Sequence, residues 1–275
     1  MCRWMAYFGD PILVDDLLFR PTHSLIDQSL HSRLGATTTN GDGFGIGWYG
    51  EGPEPALFKG VDPAWSDPNL REIAGQIKTP LMFAHVRAST GTAVQRSNSH
   101  PFRWGRWLWM HNGSVKSFHD LKYDLALHVA PALFPDILGT TDSELLFYLA
   151  LSYGLGHDPG AAVERTGGLV EQLAAARGIA DPVQMTAAAS DGVRIWVFRY
   201  ASDGHARSLF YSTQMEHLRQ LYPDIEVIAR ASDETRIVGS EPLRDLPGAW
   251  SEVPESTVGI VGPGPDRVLP FRPRP

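Results

Sequence analysis

The chain has 275 residues, 43% of them hydrophobic and 20% charged, enough apolar material for one large core. A formal net charge of −7 and the lack of any basic run argue against general affinity for nucleic acid or anionic membrane, which both need clustered Lys and Arg. The single cysteine excludes an internal disulfide framework and fits a reducing compartment; with no leader pattern and no long apolar stretch, the expected location is cytoplasmic and no membrane contact is expected.

Short β-branched or aromatic runs bounded by turn residues predict strands at Arg3 to Phe8, Phe44 to Tyr49, Leu81 to Val86 and Trp107 to His111. Between them Asn69 to Ile77 reads as a helix with Pro68 at its start. Helical periodicity then runs from Leu121 to Ala176, and Thr141, Asp142 and Ser143 offer an N-terminal cap for the middle helix. Beyond Asp181-Pro182 strands return at Met185 to Ser190, Arg194 to Tyr200, Ser208 to Tyr211, Glu226 to Ala229, Arg236 to Val238 and Thr257 to Val261. Strands, a helical block and strands again suggest two layers of sheet with helices outside. One domain over residues 1–262 is expected, followed by a proline-rich tail, 263–275, lying extended on the surface.

Cys2 directly follows Met1, so removal of Met1 leaves a thiol and a free amine on one residue. An α-amine titrates near about 8 and a thiol near about 8.5, so the amine can take the thiol proton and release a nucleophile. Residues 40–47 place glycine at every second position, which lets another backbone or a ligand approach one bare face. Arg87 ends a predicted strand, where a guanidinium can grip a carboxylate or simply pair with a neighbouring acid. Asn112-Gly113 can aim an amide and a backbone N–H at one spot, the donor pair an oxyanion needs, but Asn-Gly is equally a hairpin turn. Asp142 opens a helix, as a cap or as the partner of a substrate ammonium. Ten histidines form neither HxH nor HExxH, so no metal and no cofactor are expected.

Taken together, residues 1–3, 40–43, 85–90, 98–102, 111–113 and 141–143 occur in the order seen in class II glutamine amidotransferases, and the resemblance covers roughly residues 1–260. Residues 20–29 and 58–65 resemble more closely the branch containing the amidotransferase-like subunit of the fungal glutathione-degrading (Dug) complex; the ergothioneine-pathway γ-glutamyl hydrolase is a more distant relative. The resemblance implies an α+β N-terminal-nucleophile hydrolase fold, a four-layer αββα sandwich of two antiparallel sheets. It implies Cys2 as nucleophile, Asn112 and Gly113 as oxyanion donors, Arg87 on the substrate α-carboxylate and Asp142 on its α-ammonium. His85, Thr90 and His100, in the same motifs, are expected to line the substrate pocket.

The expected activity is cleavage of a γ-glutamyl amide through a Cys2 thioester. The alternatives are an ammonia-donating glutaminase subunit of a synthase and a non-catalytic regulatory module that keeps the fold. The resemblance also implies a partner chain, metallopeptidase-like in the first case and a synthase in the second.

Overall fold

The computed structural model describes residues 2–34, 38–89 and 91–274. Its strands are β1 (Arg3–Leu13), β2 (Phe44–Trp48), β3 (Ala56–Gly60), β4 (Lys78–Val86), β5 (Phe102–Trp104), β6 (Trp107–Val115), β7 (Val183–Ser190), β8 (Ile195–Ala201), β9 (Phe210–Ser212), β10 (Arg236–Gly239), β11 (Trp250–Glu252), β12 (Thr257–Val261) and β13 (Arg267–Pro270). The helices are α1 (Val14–Leu18), α2 (Leu25–Leu30), α3 (Pro68–Ala74), α4 (Phe118–Leu127), α5 (Asp142–Ser152), α6 (Pro159–Ala175), α7 (Met215–Leu221) and α8 (Glu226–Arg230). A seven-stranded sheet runs β11-β9-β10-β1-β4-β2-β3 and a six-stranded sheet runs β13-β12-β8-β7-β6-β5. Every neighbouring pair is antiparallel.

Three apolar layers follow from the two-residue period of the strands. Trp4, Ala6, Leu81 and Phe83 of the first sheet meet Leu108, Met110, Ala188 and Val197 of the second. Met5, Tyr7, Met82 and Ala84 face the other way, onto α1, α2 and α3. Trp109, Met185, Ala187 and Phe198 pack beneath α4, α5 and α6. Helices, two sheets and helices make the expected four-layer αββα sandwich. Among the described residues no helix is long and apolar enough to cross a membrane.

Local sequence explains where elements start. Asp67 caps α3 through Leu70 N (2.8 Å), with Pro68 in the first turn. Thr141 caps α5 by accepting from Glu144 N (3.2 Å), which leaves the Asp142 carboxylate free for other work.

One expectation changes, one open alternative closes and one expectation gains detail. Residues 226–229 are helical, in α8, where Ile228 packs with Met215, Leu218 and Ala249; a four-residue run with three apolar positions does not carry enough period to tell helix from strand. The Asn112-Gly113 pair lies inside β6, opposite Thr186 and Met185 of β7, so it is not a hairpin turn. The proline-rich tail is extended but joins the sandwich: β13 pairs with β12 and Phe271 is buried in the helix-side core.

Candidate active site

Cys2 immediately precedes β1, and Trp4 and Ala6 point between the sheets. Period-two alternation turns Cys2 the same way. By the same count His85 and Arg87 follow Leu81 and Phe83 on β4, and Asn112 follows Leu108 and Met110 on β6. The thiol, guanidinium and amide therefore gather at one end of the inter-sheet layer, where the strands stop.

The backbone of Cys2 is anchored by its neighbour. Arg3 Nη1 donates to Cys2 O (2.7 Å), and Arg3 Nε donates to Glu241 Oε1 (2.7 Å) in a pair with both side chains buried. Glu241 also accepts from Ser32 Oγ, Leu34 N and Arg33 N, and faces His23 Nε2. Those hydrogen bonds hold its carboxyl well below the usual carboxylate range against the cost of burial. The Cys2 thiol lies 3.6 Å from Ala88 O. Burial pushes the thiol up, opposed by the Ala88 backbone and by the charges of Arg87 and Arg207. A resting neutral thiol needs a base to become a nucleophile.

Arg87 is buried, and its guanidinium donates to Asp42 O (3.3 Å), Ser89 Oγ (3.2 Å) and Thr92 Oγ1 (2.7 Å), all neutral acceptors. Among the described residues no carboxylate comes within 4.0 Å of it. A buried cation without a counter-charge is costly unless an anion completes it. The glycine-alternating segment supports this loop. Asp42 N donates to Arg87 O (2.9 Å), Arg87 N to Gly43 O (2.8 Å), and Asp42 Oδ2 accepts from Ser89 N (2.7 Å). Its bare face receives backbone: a Cβ on Gly45 would lie 2.2 Å from His100 O, and Gly43 (φ +111°) faces Ser99 Oγ and Gly60 O.

On β6, a Cβ at Gly113 would meet Gln184 O at 1.9 Å and His111 Nε2 at 2.2 Å, so only glycine fits. Val115 N donates to Asp142 Oδ2 (2.8 Å), which turns that N–H away from β7. The Gly113 N–H, two residues earlier, points the same way, and the edge strand β5 ends at the Phe102–Trp109 pair without reaching it. Asn112 Oδ1 accepts from Arg207 Nη1 (2.7 Å), and no described residue accepts from Asn112 Nδ2. Two N–H donors are thus left open on consecutive residues.

Asp142 ties the helix layer to this strand. Its carboxylate accepts from Val115 N and from Ser143 N (2.7 Å). His111 Nε2 faces the Gln184 carbonyl (3.1 Å), which can only accept, so the neutral ring carries its proton there and Nδ1 accepts from Ser143 Oγ (2.8 Å). Burial pulls His111 below 6.5, which keeps that arrangement. Asp142 consequently retains lone pairs for a cation.

The structure does not bring His85 and His100 to this surface. Their rings stack at 4.1 Å, and all four ring nitrogens are buried without partners. Burial pulls His85 down to about 3 and His100 well below 6.5, so both are neutral in the interior. The alternation of His85 with Leu81 and Phe83 is the physical reason. Thr90 lies outside the described residues. Arg207, in the β8–β9 connection, carried no local signal; its charge nonetheless reaches both Cys2 and Asp142. Among the described residues no cluster of His, Cys, Asp and Glu could hold a metal.

Comparison with known proteins agrees in fold and sequence. The model for class-II glutamine amidotransferases matches residues 19–265. The probable glutamine amidotransferase DUG3 of Saccharomyces cerevisiae is 34% identical over 94% of this chain and 81% of its own length. The γ-glutamyl-hercynylcysteine sulfoxide hydrolase of Mycolicibacterium smegmatis is 28% identical over 93% of each chain. A glutamine aminotransferase class-II domain protein from Silicibacter pomeroyi superposes over 100% of both chains with TM-score 0.75 and 33% identity. The glutamine phosphoribosylpyrophosphate amidotransferase of B. subtilis shares the fold alone, at 16% identity and TM-score 0.64 over 98% of this chain and 49% of its own. The chain therefore belongs to the class II glutamine amidotransferase family, as an enzyme of the N-terminal-nucleophile hydrolase type.

Proposed function

We propose that the enzyme hydrolyses a γ-glutamyl amide, with Cys2 as nucleophile once Met1 has been removed. The observation that carries this reading is the buried Arg87 guanidinium, with no carboxylate within 4.0 Å among the described residues, near a lone thiol and two N–H donors that no described residue accepts from. An α-carboxylate on Arg87 and an α-ammonium on Asp142 would hold the glutamyl group by both charges on its α-carbon and leave the δ-carbonyl at the far end for Cys2. The relative named as a γ-glutamyl-hercynylcysteine sulfoxide hydrolase supports the γ-glutamyl half of the substrate.

In this mechanism the Cys2 amine takes the thiol proton and Sγ attacks the δ-carbonyl. Asn112 Nδ2 and Gly113 N donate to the tetrahedral oxyanion. As the C–N bond breaks, the ammonium of Cys2 returns the proton to the leaving amine, and a γ-glutamyl thioester remains. The same amine then deprotonates water, which attacks the thioester and releases glutamate and free thiol. The raised thiol makes the internal base necessary, since little thiolate forms unaided near neutral pH.

The test is glutamate release from a panel of γ-glutamyl amides by Met1-free protein, with and without co-purifying chains, beside the Cys2→Ala variant. Release that disappears in Cys2→Ala is the expected result; release that persists refutes the assignment. Ammonia from glutamine without cleavage of any other γ-glutamyl amine would favour a synthase subunit instead.

A further inference from the structure

An asparagine amide has two ends of nearly equal size and opposite polarity. With Nδ2 toward the reaction it stabilises an oxyanion; flipped, it aims an oxygen lone pair at the developing charge. The contact that distinguishes the two is Arg207 Nη1 on Asn112 Oδ1 at 2.7 Å. A guanidinium has only donors, so Oδ1 must face Arg207 and Nδ2 must face away.

Arg207 is itself held on a braced loop. Arg199 of β8 donates from Nε to Arg207 O (2.9 Å) and from Nη2 to Ala206 O (3.1 Å). Ala206 N donates to Glu255 Oε1 (2.7 Å), and Ser208 Oγ donates to Ser240 O (3.0 Å). Four contacts over three successive residues are more than a surface connection needs. Among the described residues no carboxylate lies within 4.0 Å of the Arg207 guanidinium, so its charge is not spent on a neighbouring acid. That charge acts on Cys2, favouring the thiolate against burial.

We propose that Arg207 is a positioning residue of the reaction, locking the Asn112 amide with Nδ2 toward the oxyanion while placing a positive charge beside Cys2. The kinetic part of this inference rests on the proposed γ-glutamyl hydrolysis; the effect on the thiol does not.

The experiment compares Arg207→Met, Arg207→Lys, Asn112→Ala and the Asn112→Ala/Arg207→Met double variant in the Met1-free chain, with thermal melts to verify folding. Arg207→Met is expected to lower kcat at least about tenfold with little change in KM, and Arg207→Lys to restore part of the loss. In the Asn112→Ala background, above the pH at which the thiol titrates, Arg207→Met should cost less than about twofold, because the group it orients is gone. Independently of any substrate, the pH midpoint for iodoacetamide alkylation of Cys2 should rise in Arg207→Met and stay near the parent value in Arg207→Lys. Equal kinetic losses in both backgrounds overturn the proposal, as does an alkylation midpoint that Arg207→Met leaves unmoved. If the parent turns over no γ-glutamyl amide, the functional reading fails while the alkylation series still decides whether Arg207 acts on Cys2.

Discussion

Replacing Glu241 with Ala would test how the start of β1 is held. Its carboxylate accepts from Arg3 Nε (2.7 Å), Ser32 Oγ (2.9 Å), Leu34 N (3.0 Å) and Arg33 N (3.0 Å), and faces His23 Nε2 at 2.8 Å. Removing it strands the Arg3 charge at 2% exposure, with Arg3 still bound to the Cys2 carbonyl. Breaking a buried pair from one side costs about 3–5 kcal/mol. At about 2–4 °C per kcal/mol for a chain of this size, the melting temperature should fall by about 10 °C. The control is Asp245→Ala, which removes an ion pair with Arg33 whose side chains are 52% and 77% exposed; an exposed pair is worth at most about 1 kcal/mol. Calorimetry of both variants reads the difference. Comparable shifts in the two would refute the anchoring argument. The pH dependence has a definite sign. Because hydrogen bonds from His23, Leu34, Arg33 and Arg3 outweigh burial and depress the Glu241 carboxyl, its contribution is present above the ordinary value of 4.5 and is lost as pH falls below it.

Asn112→Ala should lower kcat about 10²- to 10³-fold while the melting temperature stays close to the parent, measured by steady-state glutamate release. His23 has the opposite pH sign: burial opposes its charge, but hydrogen bonds to Glu241 and Asp27 outweigh that and raise it above 6.5. Its stabilisation is full below 6.5 and is lost as pH rises through the raised value, so urea midpoints should decline on the alkaline side and His23→Gln should flatten that decline. Phe271→Ala should cost about 3–5 kcal/mol in denaturant titration, since the ring is buried against Phe198 and Tyr200; an exposed tail would lose almost nothing.

The layers of the fold were legible because the strands carry a clean two-residue alternation and α4 and α6 bury one face each, while α5 is buried nearly all round between them and the sheet. The same alternation, followed from Leu81 through Phe83, also puts His85 in the interior, whereas its place in the motif suggested the wall of the substrate pocket. The short run of α8 carried no usable period, and Asn112-Gly113 had two local readings that only its pairing with β7 separates. Arg207 and Glu241 were not visible as partners because their contacts span long separations in the chain: Arg207 meets Asn112 across 95 residues and Glu241 meets Arg3 across 238. No local pattern encodes such a meeting. The partners of the tail were hidden for a related reason, since proline content predicts an extended conformation but not the sheet edge and the Phe271 pocket that receive it.

The central claim is that the bond to the γ-glutamyl group passes through the Cys2 sulfur. Acid-quenching Met1-free protein during turnover of a γ-glutamyl amide, then mapping the N-terminal peptide by mass spectrometry, reads this directly. The account predicts a γ-glutamyl adduct on Cys2 that vanishes in Cys2→Ala together with glutamate release. Continued turnover in Cys2→Ala, or the acyl group mapping to another residue, would contradict it.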